Sequence, residues 1–294
     1  MLRQRLITGP LLIAFIVGLV WLDERLGASA PVAAGPLGGR GTMLFLLGLA
    51  VAPMIARETS RMLAAVGVAT REWLAMAASA AAFATLVLVT RAASPALTAS
   101  IVATLFVAIL VGGLLVFSRG HNVKGVLAGT AGLLLATVYG GVLLAFWPLI
   151  RVDHSAWVLV GAVLTTKSCD IGAYFTGVSI GRHRMIEWLS PKKTWEGLAG
   201  GVLTSTVVGS LLAWASASLP ESRDHVPVLA GALGGLLAGV VGQVGDLSES
   251  LFKRDAGIKD SGRILPGMGG VLDVLDSLLL TGPVFLWLLW AATA

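Results

Sequence analysis

Cysteine is almost missing from this sequence: Cys169 stands alone among 294 residues. One thiol excludes an internal disulfide framework and a Cys-rich metal site. Histidine is sparse as well. His121, His154, His183 and His225 are scattered as loop residues, so no zinc site is expected. Charge is scarce: Asp, Glu, Lys and Arg make up 13% of the chain, against roughly 25% in a soluble domain. That shortage excludes an ordinary soluble globular protein and a disordered one. Neither a glycine-lysine P-loop nor a GxGxxG dinucleotide fingerprint is present.

What the chain has instead is apolar length. Hydrophobic residues account for 56%, and 37 residues are glycine. The mean hydropathy is +0.88. A bilayer-spanning helix needs about 20 mainly apolar residues. Nine stretches qualify: 6–22, 42–56, 73–91, 98–118, 124–148, 155–178, 197–218, 227–247 and 270–292. The second is short, and the weakly apolar stretch 62–70 reads as a partial or re-entrant helix. The apolar runs are continuous rather than alternating, so no sheet is expected and a porin-like barrel is excluded. The fold class is all-α: a polytopic integral-membrane helical bundle of about nine transmembrane helices.

The first span has some marks of a signal peptide, with Arg3 and Arg5 before it and Ala28-Ser29-Ala30 after it. Its apolar run exceeds the ~7–15 residues of a signal core, and Asp23-Glu24-Arg25 intervenes. An uncleaved first helix is expected. Orientation follows from the cations. With the N-terminus in the cytoplasm, only Arg25, Arg40, Arg91, Arg151 and Arg223 fall outside and Lys167 falls within a span. The other fifteen of the 21 Lys and Arg residues are cytoplasmic, which the positive-inside rule favours.

The acidic residues divide the chain. Residues 1–150 hold four: Asp23, Glu24, Glu58 and Glu72. Residues 170–276 hold eleven. The segment 1–150 therefore reads as an N-terminal scaffold. The segment 151–294 reads as the catalytic region, with cytoplasmic loops 179–196 and 248–269. Lys167 and Asp170 lie three apart inside a span, on one helix face. They form either a self-neutralising bridge or the wall of a polar cavity. Glu249 follows Asp246 at i+3. Asp273 and Asp276 open the last span, again three apart. Grouped carboxylates repel unless a cation lies between them, although acids at a helix start also serve as dipole partners.

Two cytoplasmic loops carry the remaining polarity. Ser190-Pro191-Lys192-Lys193-Thr194-Trp195-Glu196-Gly197 runs directly into a helix, a ready anion site. Lys253, Arg254, Lys259 and Arg263 crowd the other loop, which ends in Pro266-Gly267-Met268-Gly269-Gly270. Attraction to anionic lipid explains the lysines but not the acids among them. Cations interleaved with carboxylates suit a magnesium-phosphate site. Small residues recur every fourth position in Gly197, Gly201, Ser205 and Gly209, and in Gly231, Gly235 and Gly239. That spacing marks close helix packing or a dimer seam. Cys169 reads as a small packing residue.

Taken together, these residues resemble a known family. The run from Ser250 through Lys253-Arg254, Lys259-Asp260-Ser261-Gly262, and then Leu265-Pro266-Gly267-Met268-Gly269-Gly270-Val271-Leu272-Asp273-Val274-Leu275-Asp276-Ser277, resembles the phosphatidate cytidylyltransferase (CDP-diacylglycerol synthase) signature. Asp170-Ile171-Gly172-Ala173-Tyr174-Phe175 and the Ser190–Gly197 loop are similar to that family too. The match is close over about 165–280 and extends to the first half only in hydropathy. The chain has Met268 where the family usually has His, and Val274 where it usually has Arg.

The resemblance implies a Mg2+-dependent nucleotidyl transfer from CTP to phosphatidic acid, with K+ as a candidate second ion. It implies Asp246, Lys253, Asp273 and Asp276 as catalytic residues, with Asp246, Asp273 and Asp276 holding metal. Substrate binding would fall to Asp170, Ser190, Lys192, Lys193, Thr194, Glu196, Arg254, Lys259, Asp260 and Arg263. It further implies a homodimer in the bacterial inner membrane, with lipid entering from the bilayer, the site facing the cytoplasm and no nucleic-acid partner. The alternatives are transfer to another lipid phosphate, a catalytically impaired relative, and a transporter that uses Lys167 and Asp170 as an ion path.

Overall fold

The computed structural model describes residues 2–29, 39–119, 123–220 and 224–293. His121, Glu221, Arg223 and Ala30 lie outside these residues, as do the side chains of Arg3, Arg5 and Arg91. The helices are α1 (Leu2–Ser29), α2 (Thr42–Ala65), α3 (Glu72–Ala92), α4 (Pro95–Phe117), α5 (Val126–Thr137), α6 (Leu143–Asp153), α7 (Ala156–Ile180), α8 (Trp195–Ser216), α9 (Val228–Asp255) and α10 (Leu272–Thr293). A π-helical segment, Val138–Val142, joins α5 to α6. Counting those three as one, nine helices among the described residues are long and apolar enough to cross a membrane. The protein is an integral membrane protein.

Three details depart from the sequence reading. Helix α2 is not short. It continues through Arg57, Glu58 and Arg61 because both arginines pair with Glu72 at the start of α3, at 3.0 and 3.1 Å. The stretch 62–70 is therefore the end of α2 followed by a turn at Gly67 (φ 82°), not a re-entrant helix. There is also a small antiparallel hairpin, β1 (Arg184–Ile186) with β2 (Ser190–Thr194), where no sheet was expected. Its strands are too short to give an alternating pattern. The third departure is α9, which runs eight residues past 247, so Glu249 and Lys253 are helical.

The chain forms two compact units. Unit 1 comprises Met1–Val152 and Asp255–Val274; unit 2 comprises Asp153–Arg254 and Leu275–Ala294. In unit 1 the π-segment itself packs closely against α2 and α3. A Cβ on Gly140 would strike Ser79 and the Ala52 carbonyl, and one on Gly141 the Ser79 carbonyl. Arg151 and Asp23, both fully buried, pair at 2.7 Å. Asp23 also accepts the backbone N–H groups of Gly41 (2.9 Å) and Met43 (2.8 Å), which fixes the entry to α2.

Unit 2 packs on its small residues. A Cβ on Gly201 would meet Cys169, one on Gly209 the Gly231 carbonyl, and one on Gly235 the Ser205 carbonyl. The every-fourth-residue stripes thus join α7, α8 and α9 within the unit. Ser205 reinforces the seam by donating to the Gly235 carbonyl at 2.7 Å. Away from that seam, Asp224 accepts the Ser155 backbone N–H at 2.8 Å and so caps the start of α7.

Candidate functional site

Helix spacing assembles the polar part of unit 2. On α9, Gln243, Asp246, Glu249 and Lys253 follow at intervals of three, three and four, which places them on one face. Lys167 and Asp170 share a face of α7 in the same way, with Lys167 Nζ 3.6 Å from Asp170 Oδ2. Asp276 and Ser277 come from α10. Thr194 ends β2 and caps α8 by accepting the Gly197 N–H at 3.0 Å, which leaves Lys193 poised at the junction.

A cavity of about 630 Å3 opens among these elements. Its walls include Asp170, Ser190, Lys192, Lys193, Thr194, Gln243 and Asp246. Lys193 reaches Asp246 at 2.6 Å and Gln243 Oε1 at 2.9 Å. Gln243 Nε2 in turn donates to Asp170 at 3.2 Å. Lys167 donates to Ser277 Oγ at 2.7 Å and lies 3.7 Å from Asp276. Asp246, Glu249 and Asp276 offer oxygens that all lie within 4.8 Å of one another. Glu249 is fully buried and pairs with Lys253 at 2.6 Å.

The residues singled out from the sequence are therefore distributed unevenly. Asp170, Ser190, Lys192, Lys193, Thr194 and Asp246 share the cavity. Asp276 joins Asp246 in the carboxylate group, with Glu249 as the third member. Glu196 turns to the hairpin, accepting from the backbone of Arg182 (3.1 Å) and from His183 Nδ1 (2.6 Å). Arg254 is exposed at the end of α9.

Asp273, Lys259, Asp260 and Arg263 belong to unit 1. The last three are exposed on its loop. Asp273 Oδ2 accepts from Ser261 N (2.7 Å), Ser261 Oγ (2.9 Å) and Gly270 N (2.7 Å). It closes the glycine-rich loop onto the first turn of α10.

Sequence reasoning missed the centre of that loop, which is Glu58. This residue of α2 is buried to 3% exposure. It accepts from Ser261 Oγ, Val271 N and Leu272 N, each at 2.9 Å. The two backbone donors are among the N–H groups a helix start leaves unpaired, so α10 is capped by a carboxylate more than 200 residues away in sequence. A Cβ on Gly262 or Gly270 would strike the Glu58 carboxyl, and one on Gly269 (φ 103°) would strike Asp273. The glycines are there to make room for two carboxylates. A lone acid in an apolar helix was the available signal.

The fold and site define a polytopic membrane protein with a polar cavity of lysines and carboxylates set in an apolar helical bundle. The sequence model of the cytidylyltransferase family matches residues 3–292, and the chain belongs to that family. It is 37% identical over 193 residues to the uncharacterised protein YnbB of Escherichia coli K12, covering 60% of each chain. It is 39% identical to a phosphatidate cytidylyltransferase of Pseudomonas aeruginosa over 54% of this chain and 55% of that one. A Bacillus subtilis protein of the same name is 38% identical over 53% of this chain and 56% of its own. The chain thus spans 55–60% of the length of these curated relatives.

Proposed function

We propose that the protein is a nucleotidyltransferase that joins CTP to phosphatidic acid, giving CDP-diacylglycerol and pyrophosphate, at the cytoplasmic face of a bacterial inner membrane. The observation that carries this reading is the 630 Å3 cavity of unit 2, lined by Lys192, Lys193, Asp170 and Asp246. Its size falls within the roughly 300–1,000 Å3 of small-molecule sites. The names of the bacterial relatives support the same substrates.

The phosphate of phosphatidic acid is already anionic, so its oxygen needs no strong general base. It bonds to the α-phosphorus of CTP. The bond from that phosphorus to the β-bridging oxygen breaks, and pyrophosphate leaves with the electron pair. The obstacle is bringing two polyanions together, which calls for fixed positive charge and positioning. Lys192 and Lys193 supply that charge at the mouth of α8, where the helix N-terminus adds its own dipole. Arg254, at the end of α9, is assigned to the polyphosphate as it enters, while Lys259, Asp260 and Arg263, on the loop of unit 1, enter the proposal as substrate-binding residues on the family resemblance alone. Ser190 and Thr194 offer hydroxyls to the nucleotide side of the cavity, and Asp170 orients Gln243 there.

Asp246, Glu249 and Asp276 form an all-oxygen donor set that fits a hard divalent cation such as Mg2+. When bound, Mg2+ neutralises phosphate charge. Lys193 and Lys253 hold two of these carboxylates in place. Asp273 enters the proposal as the residue that shapes the signature loop. K+ as a second ion and homodimeric assembly rest on the family resemblance.

The test is turnover of purified protein in detergent with labelled CTP, phosphatidic acid and Mg2+, with and without EDTA. EDTA-sensitive CDP-lipid with equimolar pyrophosphate is expected. Folded protein that makes no CDP-lipid from phosphatidic acid rejects the assignment of acceptor. Product from a different lipid phosphate alone would replace the acceptor and keep the transfer chemistry.

A further inference from the structure

Lys167 sits midway along α7, an apolar helix long enough to span a bilayer, where a charge is costly to insert. Its ammonium has three partners in unit 2: Ser277 Oγ at 2.7 Å, Asp170 at 3.6 Å and Asp276 at 3.7 Å. The contacts form a chain of alternating charge. It runs from Asp276 through Lys167 to Asp170, then through Gln243 to Lys193 and Asp246. Asp246 and Asp276 close the circuit through the carboxylate group they share with Glu249. Four carboxylates and three ammoniums, counting Lys253 with Glu249, leave one net negative charge.

We propose that Lys167 is a positioning residue for the carboxylate group, acting as a tethered cation that fixes Asp276 and limits how tightly the group holds a divalent ion. The inference rests on the reading of Asp246, Glu249 and Asp276 as the cation site, but not on the identity of the lipid acceptor. Asp276 is held toward Lys167 and the Ser277 backbone N–H on one side and faces the like charges of Asp246 and Glu249 on the other. With the ammonium present, the carboxylates are spaced and oriented before any ion arrives. A like charge this close also repels an incoming divalent cation in a site of low dielectric. Loading is weakened and the geometry is fixed, a combination that favours release of the ion with the pyrophosphate product.

This account gives opposite signs to two measurements. Removing the charge should tighten cation binding while slowing turnover. A lysine that merely bridges helices would, when removed, loosen the site and weaken both.

The experiment uses the full chain in detergent and reads Mn2+ binding by electron paramagnetic resonance, alongside CTP-dependent turnover. In Lys167→Gln, the Mn2+ dissociation constant is expected to fall roughly tenfold, with a lower kcat. In Lys167→Ala, ammonium or methylammonium should restore turnover and weaken Mn2+ binding toward the wild-type value. Tetramethylammonium, which cannot donate a hydrogen bond, should do neither. Lys167→Arg keeps the charge and should leave Mn2+ affinity within about twofold of wild type. Unchanged or weaker Mn2+ binding in Lys167→Gln overturns the proposal. Should that variant not fold, tightening in Lys167→Arg overturns it instead. Wild-type protein that binds Mn2+ but makes no CDP-lipid would reject the proposed reaction and leave the Lys167 result standing on the binding data alone.

Discussion

Glu58 and Ser261, separated by 203 positions in the chain, are joined by a hydrogen bond of 2.9 Å. The Ser261 hydroxyl is equally close to Asp273 Oδ2, at 2.9 Å. A hydroxyl has one hydrogen to give, so at any instant it serves one carboxylate, while the Ser261 backbone N–H serves Asp273 throughout. This arrangement folds the signature loop of unit 1 around two acids.

Glu58→Ala should be strongly destabilising. It strands the N–H groups of Val271 and Leu272, at about 1–3 kcal/mol each, while the Ser261 hydroxyl keeps Asp273 as its acceptor. We expect a loss of roughly 3 kcal/mol or more, read as a lowered thermal midpoint in detergent. Glu58→Gln, which keeps one acceptor oxygen, should lose less. Equal midpoints for wild type and Glu58→Ala would remove Glu58 from its role.

Asp246→Asn, Glu249→Gln and Asp276→Asn should each weaken Mn2+ binding and depress Mg2+-dependent turnover by on the order of a hundredfold or more. Asp273→Asn should behave differently. It disturbs the loop, so the thermal midpoint drops while the Mn2+ affinity of the carboxylate group stays near wild type. A Mn2+ affinity lost equally in all four variants would return Asp273 to the metal-binding set that the sequence suggested.

The packing of unit 2 predicts a graded glycine series. Gly235→Leu drives a side chain into the Ser205 carbonyl and should cost about 1–3 kcal/mol or more. Gly18→Ala in α1 meets nothing within 4 Å and should leave the thermal midpoint unchanged. If both substitutions are tolerated alike, the small-residue stripes are not what holds α8 to α9.

Acid should weaken the start of α7 through Asp224, which lies outside the membrane-spanning helices. Burial alone would raise its carboxyl, but hydrogen bonds from His154 and Ser155 outweigh that and hold its pKa below the ordinary value. A lowered carboxyl pKa contributes stability that is fully present above the unfolded value and is lost as pH falls through the folded one. The midpoint difference between wild type and Asp224→Asn should therefore be constant at neutral pH and shrink below about pH 4. A difference that does not change with acidification would refute the assignment.

The membrane spans were legible because apolar length is a local property, and α4 and α8 can be read from composition alone. The place of Lys192 and Lys193 just ahead of α8 was legible for the same reason, since the lysines lie within three residues of the helix start. The carboxylates were less so. Asp246 and Asp276 meet, but the spacing of Asp273 and Asp276 suggests that both acids share a role. At a helix start the first acid turns back to unpaired N–H groups, and Asp273 does so with Gly270. Glu249 was visible at i+3 from Asp246, yet nothing local shows that it is buried against Lys253. Glu58 was the hardest to read. Its partners lie beyond α9, and no periodicity within α2 points to them.

The Glu58 contact also sets an order of events during synthesis. At about 5–20 residues per second, the ribosome delivers Ser261 roughly 10–40 s after Glu58. Throughout that interval α2 is made but the groups that satisfy its buried acid do not yet exist. The N-terminal bundle is thus completed only by the arrival of the last helix. A premature stop ahead of residue 261 is a lesion of the first half of the protein as much as of the second.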